Sequence, residues 1–316
     1  MTFDATTTAD EVLAGRDLTG TEFLITGASG GIGLETARAL AAHGARVTLA
    51  ARDRGKLDAA LARVLEELPD ARIDGAIVDL ADLASVRRFT ADFLAERDRL
   101  DVLVNNAGVM FPPLSRTADG FELQFGTNHL AHFLLTALLF PLLRGGANGG
   151  GTGARRVRVV NVSSEGHRRA GVDLGDPNFI ARDYDKFVGY GQSKTANILF
   201  GRELDRRAEA SGVHAFSLHP GRIATDLGRH MTHDDMVALM ERAKAASSGS
   251  GMPEFKSIPQ GAATTVYAAV TEGLDEHGGA YLSDCALAEP ADWARDDATG
   301  LWDLSESLVS EQWSPA

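Results

Sequence analysis

Phe23-Leu24-Ile25-Thr26-Gly27-Ala28-Ser29-Gly30-Gly31-Ile32-Gly33 carries the decision about the fold. Its first four residues suit a buried strand, and a helical pattern runs on from about Ile32 to His43. Between them lies a glycine-rich turn. Glycines let a backbone approach a pyrophosphate closely, and the helix that follows offers unpaired N–H groups and a positive dipole end. The spacing, Gly27-x-x-x-Gly31-x-Gly33, departs from the commoner G-x-G-x-x-G. An ordinary glycine turn is the plain alternative. The strand–turn–helix setting favours a dinucleotide phosphate loop with contacts at Gly27, Ser29, Gly30, Gly31, Ile32 and Gly33.

Outward from the loop the rhythm repeats. Strands are expected at Arg46 to Ala51, Ile73 to Val78, Asp101 to Val104, Val157 to Val162 and Val213 to Leu218. Helices fall between them, one carrying Leu57, Leu61, Val64 and Leu65, the next Val86, Phe89 and Phe93, then a long one from about Thr117 to Leu143. Nearly continuous apolar strands belong to a parallel sheet covered on both faces. The expectation is an α/β, doubly wound, mainly parallel Rossmann-type sheet with helices on both faces and a small substrate lid. All 316 residues read as one domain: a lead over 1–20, an insertion at 165–189, the lid at 226–259 and a tail from 286 to 316.

Composition narrows the partners. The net charge of −13 argues against nucleic acid and anionic membranes, which call for a basic footprint. Met1 to Asp17 has neither a basic nor an apolar signal region, and the longest apolar stretch, Leu130 to Leu143, is short for a span. No membrane segment and a cytoplasmic location are expected. The one cysteine, Cys285, reads as a small buried hydrophobe. His129 with His132, and His230 with His233, are spaced for metal, but no carboxylate or thiol cluster joins them, so no metal is expected.

A ribose-reading residue belongs about 20 positions past the glycines. Arg52 stands there, with Asp53 beside it. Arginine suits a 2′-phosphate and favours NADP(H); an aspartate would favour NAD(H), which stays open. Farther on, Tyr190 and Lys194 in Tyr190-Gly191-Gln192-Ser193-Lys194 lie one helical turn apart. An ammonium beside a phenol is expected to lower the tyrosine pKa and make it a proton donor or acceptor.

Together these motifs resemble the short-chain dehydrogenase/reductase family. Thr26 to Gly33 meets T-G-x-x-x-G-x-G, Asn105-Asn106-Ala107-Gly108 meets N-N-A-G, and Tyr190 and Lys194 meet Y-x-x-x-K. The resemblance implies an adenine contact at Val78-Asp79-Leu80 and cofactor contacts at Asn106, Ala107 and Gly108. It implies a nicotinamide clamp at Pro220-Gly221 with Ile223 and Thr225, and catalytic roles for Asn128, Ser164, Tyr190 and Lys194. Tyr190 would be the acid/base, Lys194 would tune it and hold the ribose, Ser164 would polarise the substrate oxygen, and Asn128 would support a water chain to Lys194. Tyr190 to Phe200, His219-Pro220-Gly221 and Tyr281 to Cys285 are similar to the retinol-dehydrogenase-like branch, in its soluble bacterial form.

The implied activity is hydride transfer between NADP(H) and a small-molecule carbonyl or alcohol. The alternatives are an NAD-linked alcohol dehydrogenase and a catalytically silent cofactor-binding regulator. Relatives pair through the long helix and the Tyr190 helix, so a homodimer or homotetramer is compatible. Ser163-Ser164 lacks the glycine-flanked elbow of a hydrolase. Met231, Met236, Met240 and Met252 suggest an apolar lid and a lipophilic substrate.

Overall fold

Phe23 to Thr26 do form a strand, and the expected alternation closes around it in a computed structural model that describes residues 2–147, 156–235, 237, 239 and 255–315. In chain order the strands are β1 (Glu22–Thr26), β2 (Arg46–Ala51), β3 (Arg72–Ile77), β4 (Val102–Asn105), β5 (Val157–Val162), β6 (Val213–His219), β7 (Tyr281–Ser283) and β8 (Ala286–Ala288). They form one sheet in the order β3-β2-β1-β4-β5-β6-β7-β8, with only β8 antiparallel. The order reverses between β1 and β4, so a crevice opens at their C-terminal ends, where doubly wound sheets bind ligands.

Helices cover both faces. α1 (Ala9–Leu13), α2 (Gly31–Ala42), α3 (Arg54–Glu67) and α8 (Ile258–Val270) pack with one apolar core. α4 (Leu83–Glu96), α6 (Ala131–Ala147), α7 (Lys186–Ala208) and α9 (Ala298–Val309) pack with the other. Carboxylate caps set several starts: Asp53 accepts the Lys56 N–H, Asp82 that of Ala84, and Asp185 those of Phe187 and Val188.

The long helix differs from its expected bounds. It starts at Leu123, not Thr117, because Gly120 takes a φ of +88° in a turn closed by Thr117 and Phe121. The Glu122 carboxylate then caps Gln124 and Phe125. A short α5 (Leu123–Phe125), a π-helical stretch (Gly126–Leu130) and α6 follow as one rod. Its stretch from Leu123 to Gly146 is 24 residues, longer than the apolar run suggested and long and apolar enough to cross a membrane; 89% of its most apolar window is buried inside this fold.

β7, β8, α1, α8 and α9 are additions to the sequence reading. Strands of three residues carry too little periodicity to be read; β7 and β8 are joined through Asp284 and Cys285, both at positive φ. α9 and the tail lie over α6 and α7. Trp302 is buried against Phe133 and Phe200, stacks on Trp313 at 4.9 Å, and has the Arg207 guanidinium over it. Part of the α6 and α7 surface is therefore covered by the chain's own C-terminal segment. Of the glycine-rich loop, residues 148–153 lie outside the described residues, as do Met236, Met240 and Met252.

Candidate active site

The glycine loop is shaped by close approach. Gly27 sits at φ +68°, and a Cβ there would lie 2.7 Å from the Ala107 Cα. A Cβ on Gly33 would strike the Asn106 amide at 2.6 Å and the Gly27 carbonyl at 2.7 Å. Gly30, by contrast, faces open space, and no side chain caps α2 there. An uncapped helix end beside open space is what a pyrophosphate needs, so these residues fit a dinucleotide. Thr225 reaches over the loop, its methyl 3.4 Å from where a Gly31 Cβ would stand. Ile223 wedges against α8 at Gly261, close to Ile32. Gly221 takes φ +94°, the left-handed region that favours glycine. Thus the Pro220-to-Thr225 stretch and the glycine loop meet, though they are far apart in sequence.

The motif after β4 serves the loop from beneath. Asn106 donates its amide to the Thr26 carbonyl (2.7 Å), so its side chain pins β1. The backbone N–H groups of Asn106 and Ala107 both donate to the Thr26 hydroxyl at 3.0 Å. A Cβ on Gly108 would lie 3.2 Å from the Asn128 Oδ1 and 3.5 Å from the Lys194 Nζ. In the Val78-Asp79-Leu80 stretch, where the resemblance implies an adenine contact, Asp79 accepts the Ala81 N–H at 2.9 Å and Leu80 is buried. Arg52 is exposed just past β2 and makes no ion pair among the described residues, whereas Asp53 is committed to capping α3.

Ser164 lies two residues past β5, and Tyr190 and Lys194 share one face of α7. The Ser164 side chain hydrogen-bonds Tyr190 and also accepts the Gly166 N–H at 3.0 Å. Gly166 lies flat on the phenol: a Cβ there would be 2.8 Å from the ring. Lys194 donates to the Val162 carbonyl at 3.0 Å, with Nζ 5.7 Å from the Tyr190 ring centroid. Asn128 lies in the π-helical stretch, where such irregularity often marks function. Its amide is fully engaged: Oδ1 accepts the Val109 N–H, and Nδ2 donates to the Val109 carbonyl and the Ser193 hydroxyl.

The electrostatics correct one expectation. Tyr190 is pushed above its ordinary pKa, because burial outweighs the Ser164 hydrogen bond. Lys194 is itself buried and is lowered to about 8. With its ammonium turned to Val162, it leaves the phenol protonated near neutrality. Sequence spacing shows adjacency, but not that both partners are withdrawn from water.

Three aromatic rings close the site, and the sequence singled out only one of them. Phe111 sits 4.7 Å from Phe187 and edge-on to Tyr190 at 5.1 Å, with Met110, Met231 and Leu239 packed around them. Phe111 holds φ +57°, costly for a bulky residue, and its N–H donates to Gln124 Oε1 at 2.9 Å. Lys186 at the start of α7 pairs with Asp235. A groove of about 320 Å³ runs beside Phe187, lined by Pro113, Tyr184, Asp185 and Lys186. A larger hollow of about 490 Å³ lies at the opposite, N-terminal edge of the sheet. Its Arg46 and Arg99 are paired with Asp74, Glu22 and Asp101, and it is remote from this chemistry.

His129 and His132 do not form a metal pair. His129 Nε2 meets Ser305, and His132 meets the Asn128 carbonyl and Thr26. Burial lowers them to about 3 and about 4. The unfolded rings protonate first as pH falls, so stability is full above about pH 6.5 and is lost below it. For His132 alone the loss by pH 4 is on the order of 3 kcal/mol. Urea midpoints measured against pH should fall through this window, and His132→Gln should lower the slope by about one proton. An unchanged slope would contradict the assignment.

The sequence model of the short chain dehydrogenase family matches residues 22–236. Human retinol dehydrogenase 12 is 39% identical over 298 residues, covering 94% of this chain and 88% of that protein. Among solved structures, an uncharacterized protein from Mycobacterium paratuberculosis superposes with a TM-score of 0.73 at 34% identity, over 95% of this chain and 97% of that one. The Pseudomonas aeruginosa RhlG/NADP active-site complex aligns at 0.63 and 27%, over 84% and 95%. The family match, the relatives and the assembled site agree: the chain belongs to the short-chain dehydrogenase/reductase family and is an NAD(P)-dependent oxidoreductase acting on CH–OH and C=O groups.

Proposed function

We propose that the chain is an NADP(H)-preferring reductase of lipophilic aldehydes or ketones, with Tyr190 as its acid/base. The observation that carries the cofactor preference is the division of labour past β2. Asp53 spends its carboxylate on the α3 N-terminus, while Arg52 stands exposed just past β2, where a ribose-reading residue is expected. A guanidinium there suits a 2′-phosphate. The structurally similar RhlG of Pseudomonas aeruginosa forms an NADP complex, which is consistent with this. The substrate class rests on the apolar mouth of Met110, Phe111, Phe187, Met231 and Leu239 around Tyr190.

Within that site the roles divide by position. A bound nicotinamide supplies hydride to the carbonyl carbon. Tyr190, kept protonated by burial, donates its phenolic proton to the carbonyl oxygen. Ser164, hydrogen-bonded to Tyr190, holds that oxygen from the other side. Lys194 offsets the phenolate left behind. Phe111 and Phe187 exclude water from the exchange.

Titration of nicotinamide fluorescence tests the cofactor half. NADPH should bind at least about tenfold more tightly than NADH, the scale of one charge-assisted contact, and Arg52→Ala should erase the difference. Tighter NADH would assign the ribose to another group and favour alcohol oxidation. Binding without turnover of any carbonyl would leave a silent cofactor-binding protein. For the substrate half, kcat/KM across straight-chain aldehydes should rise about fourfold per methylene until the mouth is filled. A flat series would sink the lipophilic reading.

A further inference from the structure

We propose that His132 is a positioning residue that locks the catalytic helix to the dinucleotide cradle. This rests on the family's dinucleotide site, not on the choice between NADP and NAD. The ring is buried, and both nitrogens are engaged: Nδ1 lies 3.0 Å from the Asn128 carbonyl and Nε2 lies 2.9 Å from the Thr26 hydroxyl.

The proton positions follow from the partners. A carbonyl only accepts, so Nδ1 carries the hydrogen. In a neutral ring Nε2 is then a bare lone pair, which needs a donor. The Thr26 oxygen already accepts the N–H groups of Asn106 and Ala107. Its own proton is free to point at Nε2; the alternative acceptor, the Val104 carbonyl, is more distant at 3.4 Å. The chain of donation runs from Asn106 and Ala107 to Thr26, from Thr26 to His132, and from His132 to Asn128.

Each end of that chain belongs to the machinery already described. Thr26 is the last residue of β1 before the phosphate loop, and Asn106 and Ala107 lie beneath that loop. Asn128 continues through Ser193, whose hydroxyl donates to the Tyr190 carbonyl at 2.9 Å. Behind the ring, Thr136 donates to the His132 carbonyl at 2.7 Å and accepts from Asn105 at 3.1 Å. A π-helical stretch departs from the regular ladder, so its carbonyls need outside definition. His132 supplies it from a group that reports the position of β1. An imidazole suits the task because it presents a donor and an acceptor on opposite sides of one rigid ring.

The test pairs variants at the two ends of the Nε2 contact and uses whichever reduced dinucleotide the wild type binds more tightly. His132→Leu should weaken cofactor binding about tenfold, because it takes an acceptor from the buried Thr26 hydroxyl and a donor from the Asn128 carbonyl. It should also lower kcat about tenfold through misalignment. His132→Gln, which retains an acceptor and a donor, should recover most of both. Thr26→Val should weaken binding at least as much, because it also removes the acceptor of the Asn106 and Ala107 N–H groups, and the double variant should lose clearly less than the sum of the two singles, since both break the Nε2 contact. Kd and kcat of His132→Leu within about twofold of wild type, or full additivity in the double variant, would overturn the proposal.

A folding defect is separable from a positioning one. If His132→Leu cannot be recovered folded, Thr26→Val and His132→Gln still carry the comparison. Long-range 1H–15N spectra of the wild-type rings supply an independent readout. Among the rings in the neutral Nδ1–H form, which should include His167, the one that disappears in His132→Gln should persist from about pH 5 to about pH 8. If the signal lost in His132→Gln is an Nε2–H form, or one that titrates in that range, the assigned direction of donation is overturned.

Discussion

Tyr190→Phe is expected to lower kcat by about 10³ to 10⁴-fold while cofactor affinity stays within about twofold of wild type. The ring itself is structural: Gly166 lies against one side, Phe111 meets it edge-on, and Phe187 packs nearby. Phenylalanine preserves all of that and removes only the hydroxyl that hydrogen-bonds Ser164. The loss therefore measures proton transfer and little else. Single-turnover oxidation of bound NADPH in the presence of an aldehyde isolates the step from product release. A loss below about tenfold would mean that another group or water supplies the proton, and the role assigned to Tyr190 would fall.

Trp302→Ala should cost about 3 to 5 kcal/mol of stability, the largest effect expected outside the site. Its indole is 1% exposed and joins three elements: Phe133 of α6, Phe200 of α7 and Trp313 of the tail. Truncation opens a cavity that the surrounding rings cannot fill without losing their own contacts. It also loosens a segment tied elsewhere by Arg87 to Glu311 and to the Val309 carbonyl, by Ser305 to His129, by Thr299 to Glu203 and by Trp313 against Phe140. Thermal unfolding should shift down by roughly 4 to 8 °C. Because α9 covers the α6 and α7 surfaces, the variant should also self-associate with rising concentration, which sedimentation would detect. A shift under about 2 °C would mean that the tail is not seated on those helices.

Both variants touch residues that stood differently in the sequence. Tyr190 was legible because its partner lies one turn away and the pair recurs with a phosphate loop. Trp302 was not, because nothing in 298–309 says which surface the helix will cover. The same contrast runs through the site. The glycine loop, Tyr190 and Lys194 are short-range patterns. Gly166, Phe111, Phe187 and His132 act through neighbours drawn from other elements. Only a chain-closing contact, such as a notional Cβ 2.8 Å from the Tyr190 ring, reveals why Gly166 is glycine. His132 had one visible signal, its spacing from His129, and with no carboxylate or thiol cluster beside the pair that spacing pointed to no role.

The strand–helix alternation, the phosphate loop and the order of the motifs were determined by the sequence itself, because hydrophobic period and glycine conformation act over a few residues. The tertiary structure decided the matters that depend on burial and on remote partners. It committed Asp53 to a helix cap and left Arg52 exposed. It raised the Tyr190 pKa where adjacency to Lys194 alone argued for lowering it, because both groups are withdrawn from water. It moved the start of the long helix to Leu123 through a turn at Gly120 and a carboxylate at Glu122. And it laid the C-terminal helix over α6 and α7, since an apolar surface is covered by whichever segment the whole chain can bring to it.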